Sequence, residues 1–237
     1  MKTLGVIGGL GPMATAYFLQ LITQMTDAKT DQEHIEVLIH SKPGIPDRTK
    51  YILHQSTDNP LPDMVAVGKS LAAQGAEILA IPCITAHYFQ KELEAQIDIP
   101  VINTLTETAD YLKAHNITQV GIMATDGTVE SQIFQNVFDA YGIKTCIPSC
   151  DNQSKVMHLI YNNIKSGKEV EMSLFGDVSS ELFEQGAQVI LLGCTELSLI
   201  KNKTVLSHGY LDVMEVLARK AVLSCGHLRN EYKNLIT

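Results

Sequence analysis

The sequence predicts an α/β protein made of two similar parallel-sheet domains, and three observations support this prediction. Short apolar runs alternate with longer amphipathic stretches along the 237 residues. A segment that ends in a cysteine occurs twice. The hydrophobic content of 45% is enough for a sizeable buried core, and the length suits one large domain or two small ones.

The apolar runs are mostly too short for helices and end at Gly, Pro or polar residues, so we interpret them as buried strands. They are residues 3–8, 35–40, 78–81, 101–102, 120–123 and 189–192. Helical spacing of apolar residues is found between them, in residues 14–25, 64–74, 105–115 and 131–141. Strands that alternate with helices predict parallel sheets covered on both faces.

An internal repeat divides the chain into two halves. Residues 74–83 (QGAEILAIPC) align without gaps on residues 185–194 (QGAQVILLGC). Each copy ends a helix at Gly, passes through a strand and delivers a cysteine at the carboxyl end of that strand. A fainter similarity aligns residues 4–11 with residues 120–127. We therefore expect two domains related by a pseudo-twofold axis. The first comprises residues 1–102 and residues 208–237, whose C-terminal helix completes it, and the second comprises residues 103–207.

The two repeated cysteines are the first candidates for a functional site. Ligands of open parallel sheets bind beyond the carboxyl ends of the strands, so Cys83 and Cys194 are expected to face one ligand across a cleft between the domains. Two opposed thiols suit a reaction that removes a proton from one face of a carbon and returns one to the other. The alternative is that both are ordinary buried cysteines. Their repeated placement at expected strand-to-helix turns favours the functional interpretation.

The other three cysteines lack this context. Cys146 and Cys150 are expected in a Pro-containing connection and Cys225 in the last helical segment, and we interpret all three as structural. The five cysteines have neither CxxC nor zinc-finger spacing, so no metal site is expected. Free thiols predict a reducing, cytoplasmic environment.

Charge and hydropathy exclude several classes of protein. A formal net charge of −8 leaves no basic surface for nucleic acid and no polybasic membrane anchor. No apolar run approaches the roughly 18 residues of a membrane span. Glycines near the N-terminus interrupt the apolar stretch that a signal peptide would need. We expect neither a nucleic-acid nor a membrane partner.

Six segments resemble one known family. PCITAH at 82–87 and GCTEL at 193–197 look like the two signature segments of the aspartate/glutamate racemase superfamily. Four further segments resemble the aspartate racemase branch of this superfamily: GGLGPMAT at 8–15, IPDRT at 45–49, ATDGT at 124–128 and YNNIKSG at 161–167. The matching segments follow one another in the expected order from residue 5 to about residue 200.

The resemblance implies a two-domain enzyme, often a homodimer, that racemises an amino acid without pyridoxal phosphate, metal or any other cofactor. Aspartate or glutamate is the expected substrate. The catalytic pair of the family carries over to Cys83 and Cys194. Contacts to the distal carboxylate carry over to Arg48 and Lys165, and the two cations suit a dicarboxylic amino acid. The other matched positions are Met13, Thr85, Thr128 and Thr195 for substrate binding, and His87, Glu196 and Tyr161 for support.

One position departs from the family pattern. The residue after the first cysteine is usually Asn, which holds polar groups of the substrate, but here it is Ile84. An aliphatic side chain makes no hydrogen bonds. Either backbone N–H groups near Thr85 compensate, or the substrate is not aspartate.

Alternatives remain at single residues. His87 either tunes Cys83 or is a structural histidine with both nitrogens satisfied. Glu196 either orients Cys194 and its proton or only complements a helix N-terminus.

Residues 41–62 form a long Pro-rich connection that carries Arg48, and we predict a lid that brings this cation over the substrate.

Three other functions compete. GLGPMA at 9–14 fits a dinucleotide-binding pattern, but the second strand ends in His40 and Ser41 and not in the acid that binds ribose. A related isomerase or decarboxylase would use the same fold with one or both cysteines. A non-catalytic binding or regulatory protein is the third, and Ile84 is its best support.

Overall fold

The computed structural model describes every residue, Met1–Thr237, and the chain divides into two compact units. Met1–Thr104 and Met214–Leu235 form the first unit, and Leu105–Val213 with Ile236–Thr237 form the second. The strands are β1 (Leu4–Gly8), β2 (Val37–Ser41), β3 (Ile78–Ala80), β4 (Gln119–Met123), β5 (Lys144–Cys146), β6 (Val189–Leu192) and β7 (Tyr210–Asp212).

Eleven α-helices surround these strands. They are α1 (Pro12–Met25), α2 (Arg48–Ile52), α3 (Leu61–Ala73), α4 (Gln90–Glu94), α5 (Thr104–Ala114), α6 (Asp126–Glu130), α7 (Ile133–Phe138), α8 (Cys150–His158), α9 (Met172–Glu184), α10 (Thr195–Lys203) and α11 (Val213–Cys225). Short 3₁₀ helices cover Asp31–Glu33, Ile84–Phe89, Asp139–Tyr141 and Asn230–Lys233, and a π-helix covers Leu159–Ile164. No helix combines the length and hydrophobicity that crossing a membrane requires.

Each unit contains one fully parallel sheet. The strand order is β2-β1-β3 in the first unit and β5-β4-β6-β7 in the second. Ile7 and Leu79 of the first sheet pack on Met64 and Leu71 of α3. In the second unit, Ile190 and Leu192 of β6 belong to a buried cluster with residues of α8 and α9. The predicted class, two similar parallel-sheet α/β units, is confirmed.

The internal repeat extends to the hydrogen-bond register of the strands. Gly5 pairs with Leu79 in the first sheet, and Gly121 pairs with Ile190 in the second, and these two pairs occupy matching positions of the sequence repeat. The helices before β3 and β6 are terminated by Gly75 and Gly186, which come directly after the C-cap residues and have φ values of 105° and 92°. Glycine adopts this backbone conformation without the steric cost of a Cβ atom, which explains why both copies end a helix there.

The second unit is larger than the sequence predicts. Residues 208–213, expected in the first domain, lie in the second unit because β7 pairs with β6 along Tyr210–Asp212. The three-residue strands β5 and β7 are absent from the predicted set, and the predicted strand at 101–102 is reduced to a single bridge between Leu79 and Val101.

Two predicted segments have a different local structure. The helix expected over 131–141 begins two residues later, at Ile133, because Gln132 has a φ of 53°, and its last turn, Asp139–Tyr141, is a 3₁₀ helix. The long connection from residue 41 to residue 62 is not irregular throughout, because it contains α2, capped by Asp47, and the beginning of α3.

Candidate active site

Cys194 follows β6 and occupies the N-cap position of α10, with φ −137° and ψ 134°. Its side chain is 7% exposed. The Sγ atom donates a hydrogen bond to Oε2 of Glu196 at 2.9 Å. Burial and the negative charge of Glu196 raise the pKa of the Cys194 thiol well above its usual value, while Lys165 and the backbone N–H of Glu196 act in the opposite direction. At neutral pH this cysteine is therefore a protonated thiol.

Glu196 joins this thiol to a cation. Its side chain is buried, and Thr195 Oγ1 lies 3.4 Å from the same Oε2 that accepts from Cys194. Nζ of Lys165 lies 3.6 Å from the other oxygen, Oε1, and 4.4 Å from the ring centre of Tyr161. Four predicted site residues of the second unit are thus brought together around Cys194. Of the two interpretations of Glu196, these contacts support the one in which it orients the thiol.

A π-helical turn determines the position of the Lys165 cation. The helix of α8 continues into the π-helical turn Leu159–Ile164, which contains Tyr161 and ends immediately before Lys165. π-Helical turns are rare and often occur at functional sites. The sequence has no pattern that reveals such a turn, so this element was not predicted.

The loop after β4 carries the predicted Thr128. Thr125 occupies the N-cap position of α6, but its hydroxyl makes no capping hydrogen bond and lies 3.2 Å from Oγ1 of Thr128. Both threonines are buried. Gln153 of α8 donates from Nε2 to Ala124 O at 3.0 Å and to Asp126 Oδ1 at 2.7 Å, which fixes this loop. Gln153 was missed, because its partners lie 27 and 29 residues away.

Cys83 has the corresponding position in the first unit. It follows β3, is 6% exposed and occupies the N-cap position of the 3₁₀ helix Ile84–Phe89, with φ −157° and ψ 107°. The expected strand-to-helix turn is therefore present, although the first helical turns are 3₁₀ and not α. Ile84 and Thr85 are both buried.

His87 is engaged on both ring nitrogens. Nδ1 lies 2.8 Å from Gln90 Oε1, and Nε2 lies 2.8 Å from Thr104 Oγ1. The side-chain amide of Gln90 donates in turn to Val101 O at 3.2 Å, which is consistent with its oxygen facing the histidine. Burial lowers the pKa of His87. These contacts support the interpretation of His87 as a neutral structural histidine.

Arg48 connects two loops of the first unit. Its guanidinium donates to Pro46 O at 2.9 Å, to Ile45 O at 3.3 Å and to Leu10 O at 3.1 Å. Leu10 belongs to the glycine-rich turn between β1 and α1. Arg48 is therefore a partly buried residue that fastens its own segment to this turn, and not a solvated surface charge.

The glycine-rich turn is itself held tightly. The N–H of Gly9, at φ 88°, donates to Thr15 Oγ1 at 2.9 Å, and the Thr15 hydroxyl donates to Gly11 O at 2.9 Å. A Cβ atom on Gly9 would approach the backbone of Lys42 to 2.5 Å. Met13, predicted to contact substrate, lies in the first turn of α1 with 70% of its surface exposed.

The remaining cysteines differ from the repeated pair. Cys146 ends β5 and Cys150 begins α8, so the connection predicted for them is wrong for both residues. Burial raises the pKa of Cys146 and of Cys225. The described side chains contain no group of three or more His, Cys, Asp or Glu arranged to hold a metal ion.

Known proteins resemble the chain over nearly its whole length. The broad-specificity amino-acid racemase RacX of Bacillus subtilis is 23% identical over 228 residues, which cover 92% of this chain and 96% of RacX. The structure of Picrophilus torridus aspartate racemase superimposes with a TM-score of 0.84 at 30% identity, covering 98% of both chains.

A more distant structure shares the fold. Francisella tularensis glutamate racemase, solved in complex with D-glutamate, gives a TM-score of 0.69 at 17% identity, covering 94% of this chain and 80% of that one. The family model described as Asp/Glu/Hydantoin racemase matches residues 7–221. This chain therefore belongs to the Asp/Glu/Hydantoin racemase family.

Proposed function

We propose that the chain is a cofactor-independent racemase of a dicarboxylic amino acid, aspartate or glutamate, with Cys83 and Cys194 as its two acid/base thiols. Family membership supports racemisation as the reaction. The likeness to an aspartate racemase at 30% identity supports aspartate as the first substrate to test.

One observation carries the proposal: the two cysteines have matching positions in the repeat. Each is buried, has extended backbone angles and occupies the N-cap position of a helical segment directly after corresponding parallel strands. Free N–H groups at such positions stabilise a thiolate or a bound carboxylate. A fold that repeats a thiol in this position has the two equivalent groups that a two-base reaction needs.

The proposed chemistry moves one proton off the α-carbon and one proton onto it. In one direction the Cys83 thiolate removes the α-proton, and the Cys194 thiol delivers its proton to the opposite face. The thiol and the thiolate are then exchanged, and proton exchange with water restores the starting state. The mechanism requires both sulfur atoms to reach the same α-carbon from opposite faces.

Two cations are proposed to hold the distal carboxylate, Arg48 through its planar fork and Lys165 as a mobile point charge. Thr85, Thr128 and Thr195 are proposed to bind the polar groups of the amino acid. The carbanion next to the α-carboxylate needs electrostatic stabilisation, which we assign to the N–H groups that follow the two cysteines and to the cations.

Exchange of the α-hydrogen in D2O tests this function. L-aspartate, L-glutamate and a panel of other amino acids are incubated with the protein, and deuterium at the α-carbon is followed by NMR. We expect exchange and racemisation of a dicarboxylic amino acid. No exchange with any amino acid would contradict the racemase proposal, and release of carbon dioxide would identify a decarboxylase instead.

The family resemblance also leads us to propose a homodimer. Light scattering coupled to size-exclusion chromatography measures the mass in solution, and we expect twice the 26.0 kDa of one chain. A mass equal to one chain would contradict this.

A further inference from the structure

Lys165 begins a short connection between two helical elements of the second unit. Residues 165–170 join the π-helical turn Leu159–Ile164 to Glu171, the N-cap residue of α9. Residues 165–169 are all exposed. Because they are exposed, packing in the core contributes little to the position of Lys165, and polar contacts at the two ends of the connection have to hold it.

Asn163 closes this connection through two hydrogen bonds to one residue. Its Nδ2 donates to Oε1 of Glu171 at 3.1 Å, and its Oδ1 accepts from the backbone N–H of Glu171 at 3.2 Å. Asn163 is 4% exposed, whereas the adjacent Asn162 is exposed. A buried amide that uses both its donor and its acceptor on one partner fixes the distance and the orientation of that partner. We call this contact the Asn163–Glu171 clasp.

His158 shares the carboxylate of the clasp. It is the last residue of α8, and its Nε2 donates to the same Oε1 of Glu171 at 2.8 Å. The hydrogen bonds from Asn163 and His158 lower the pKa of the Glu171 carboxyl, which is therefore ionised at neutral pH. Glu171 thus joins the end of α8, the π-helical turn and the beginning of α9.

The direction in which Lys165 faces depends on the π-helical turn. The N–H of Lys165 donates to Ile160 O, five residues earlier, at 2.9 Å. A π-helical turn contains one residue more than an α-helical turn, so a return to α-helical geometry would rotate the residues that follow by about 100°. The clasp begins within this turn, at Asn163, and opposes such a rotation.

We propose that Asn163 is a positioning residue for Lys165 and thereby determines specificity for a distal carboxylate. The clasp keeps the π-helical turn closed, so that Nζ of Lys165 stays 3.6 Å from Oε1 of Glu196 and 4.4 Å from the ring centre of Tyr161. A distal carboxylate then meets a cation whose position is already fixed. This inference rests on the proposed racemase function and on the assignment of Lys165 to that carboxylate.

The simpler interpretation is that Asn163 only ties the chain together before α9. Under that interpretation its loss lowers stability but leaves the surroundings of the Lys165 ammonium unchanged. The proposal instead requires the ammonium to become more mobile and more accessible when the clasp opens. Reactivity of the Lys165 amine distinguishes the two interpretations.

The experiment measures the rate of reductive methylation of Lys165 by mass spectrometry of its peptide. The rate is divided by that of Lys203, an exposed lysine late in α10 of the same protein, so that each protein carries its own reference. The variants are Asn163→Ala, Asn163→Asp, and Asn163→Asp combined with Glu171→Gln. Asn162→Ala, at the exposed neighbour in the same π-helical turn, is the matched control. Circular dichroism checks that each protein is folded.

The double variant is a rescue, because it exchanges donor and acceptor across the clasp. Asn163→Asp alone places a carboxylate against the carboxylate of Glu171, and their repulsion opens the clasp. With Glu171→Gln added, the new amide at position 171 donates to the new carboxylate at position 163, which still accepts the backbone N–H. We expect both single variants at position 163 to raise the labelling ratio several-fold. The double variant should return it towards the wild type, and Asn162→Ala should not change it.

Steady-state kinetics provide the functional readout. We expect Asn163→Ala and Asn163→Asp to raise KM for the best dicarboxylic substrate by roughly 3- to 10-fold, with little change in kcat, because a displaced cation weakens binding and leaves the reacting atoms unaffected. The double variant should lower KM again. A matching loss of kcat without a change in KM would contradict the specificity role.

An unchanged labelling ratio in both single variants at position 163, or an equal increase in Asn162→Ala, would overturn the inference. The labelling needs no substrate turnover, so it is independent of the proposed reaction. Increased labelling in a protein whose wild type exchanges no amino acid would overturn the racemase proposal and the specificity role with it. Unchanged labelling and KM in an active racemase would overturn only the role of Asn163.

Discussion

Nζ of Lys165 lies 3.6 Å from Oε1 of Glu196, and the same ammonium lies over the ring of Tyr161. The cation proposed for the substrate is therefore already positioned by a carboxylate and an aromatic face. Because the Lys165 side chain is already ordered, less of its conformational entropy is lost when a ligand binds. A substrate carboxylate has to share the Lys165 ammonium with Glu196 or displace the Glu196 carboxylate from it.

Replacing Lys165 tests its assignment to the distal carboxylate. We expect Lys165→Met to raise KM for the best dicarboxylic substrate by roughly 10- to 100-fold, because a hydrogen bond to a charged group contributes about 1.5–3 kcal/mol. Steady-state kinetics measure this effect, and Lys203→Met, at an exposed residue late in α10, is the control. An unchanged KM would remove Lys165 from the proposed binding site.

Arg48 should matter for binding and for stability, because it donates to three backbone carbonyl oxygens. Arg48→Lys keeps the charge but cannot form this planar fork. We expect a lower urea midpoint, corresponding to a loss of roughly 1–3 kcal/mol, together with a higher KM. If the lysine variant matched the wild type in both measurements, neither the fastening of the loops nor the proposed lid would depend on Arg48.

His87 should make stability depend on pH. Its pKa is lowered in the folded protein, so below about pH 6.5 the unfolded chain binds a proton that the folded protein does not bind. Stability is therefore lost as the pH falls through this range. We expect the urea midpoint of the wild type to fall more steeply between about pH 7 and pH 5 than that of His87→Asn, whose side chain does not titrate.

The same variant separates the two interpretations of His87. A structural histidine leaves the alkylation rate of Cys83 unchanged when it is replaced, as mass spectrometry of the labelled peptide can measure. A changed rate at Cys83 with no change at Cys194 would show instead that His87 tunes the nearby thiol.

Substituting Gly75 tests whether the repeat needs a glycine after the helix because of its positive φ. Its φ of 105° disfavours any residue with a Cβ atom, although no neighbour would contact that atom. We expect Gly75→Ala to lower the free energy of unfolding by about 1–2 kcal/mol. Gly44→Ala, which also adds a methyl group in open space but without a positive φ, should be neutral or slightly stabilising. Equal effects of the two substitutions would contradict this explanation.

Much of the fold could be predicted because its signals are local. The glycine before each repeated strand and the cysteine after it are visible in ten consecutive residues of the sequence. The strand β7 could not be predicted in the same way. Its three residues become a strand only because β6 lies beside them.

The contacts of the candidate site were less predictable than its residues. Glu196 follows Cys194 closely in sequence, so a contact between its carboxylate and the thiol can be predicted as one of two alternatives. Its ion pair with Lys165 spans 31 residues and depends on a π-helical turn that has no sequence signature. His87 meets Thr104, 17 residues away, through a hydrogen bond that only the folded first unit provides.

The isotope pattern of the earliest turnovers in D2O tests the two-thiol mechanism most directly. Starting from one enantiomer of the substrate, we predict that the product enantiomer carries deuterium at the α-carbon while the remaining substrate keeps its hydrogen, because one thiol removes the proton and the other delivers a solvent-derived deuteron. Cys83→Ala and Cys194→Ala should each abolish racemisation. Equal early deuterium in both enantiomers, or full racemisation by either alanine variant, would contradict the mechanism.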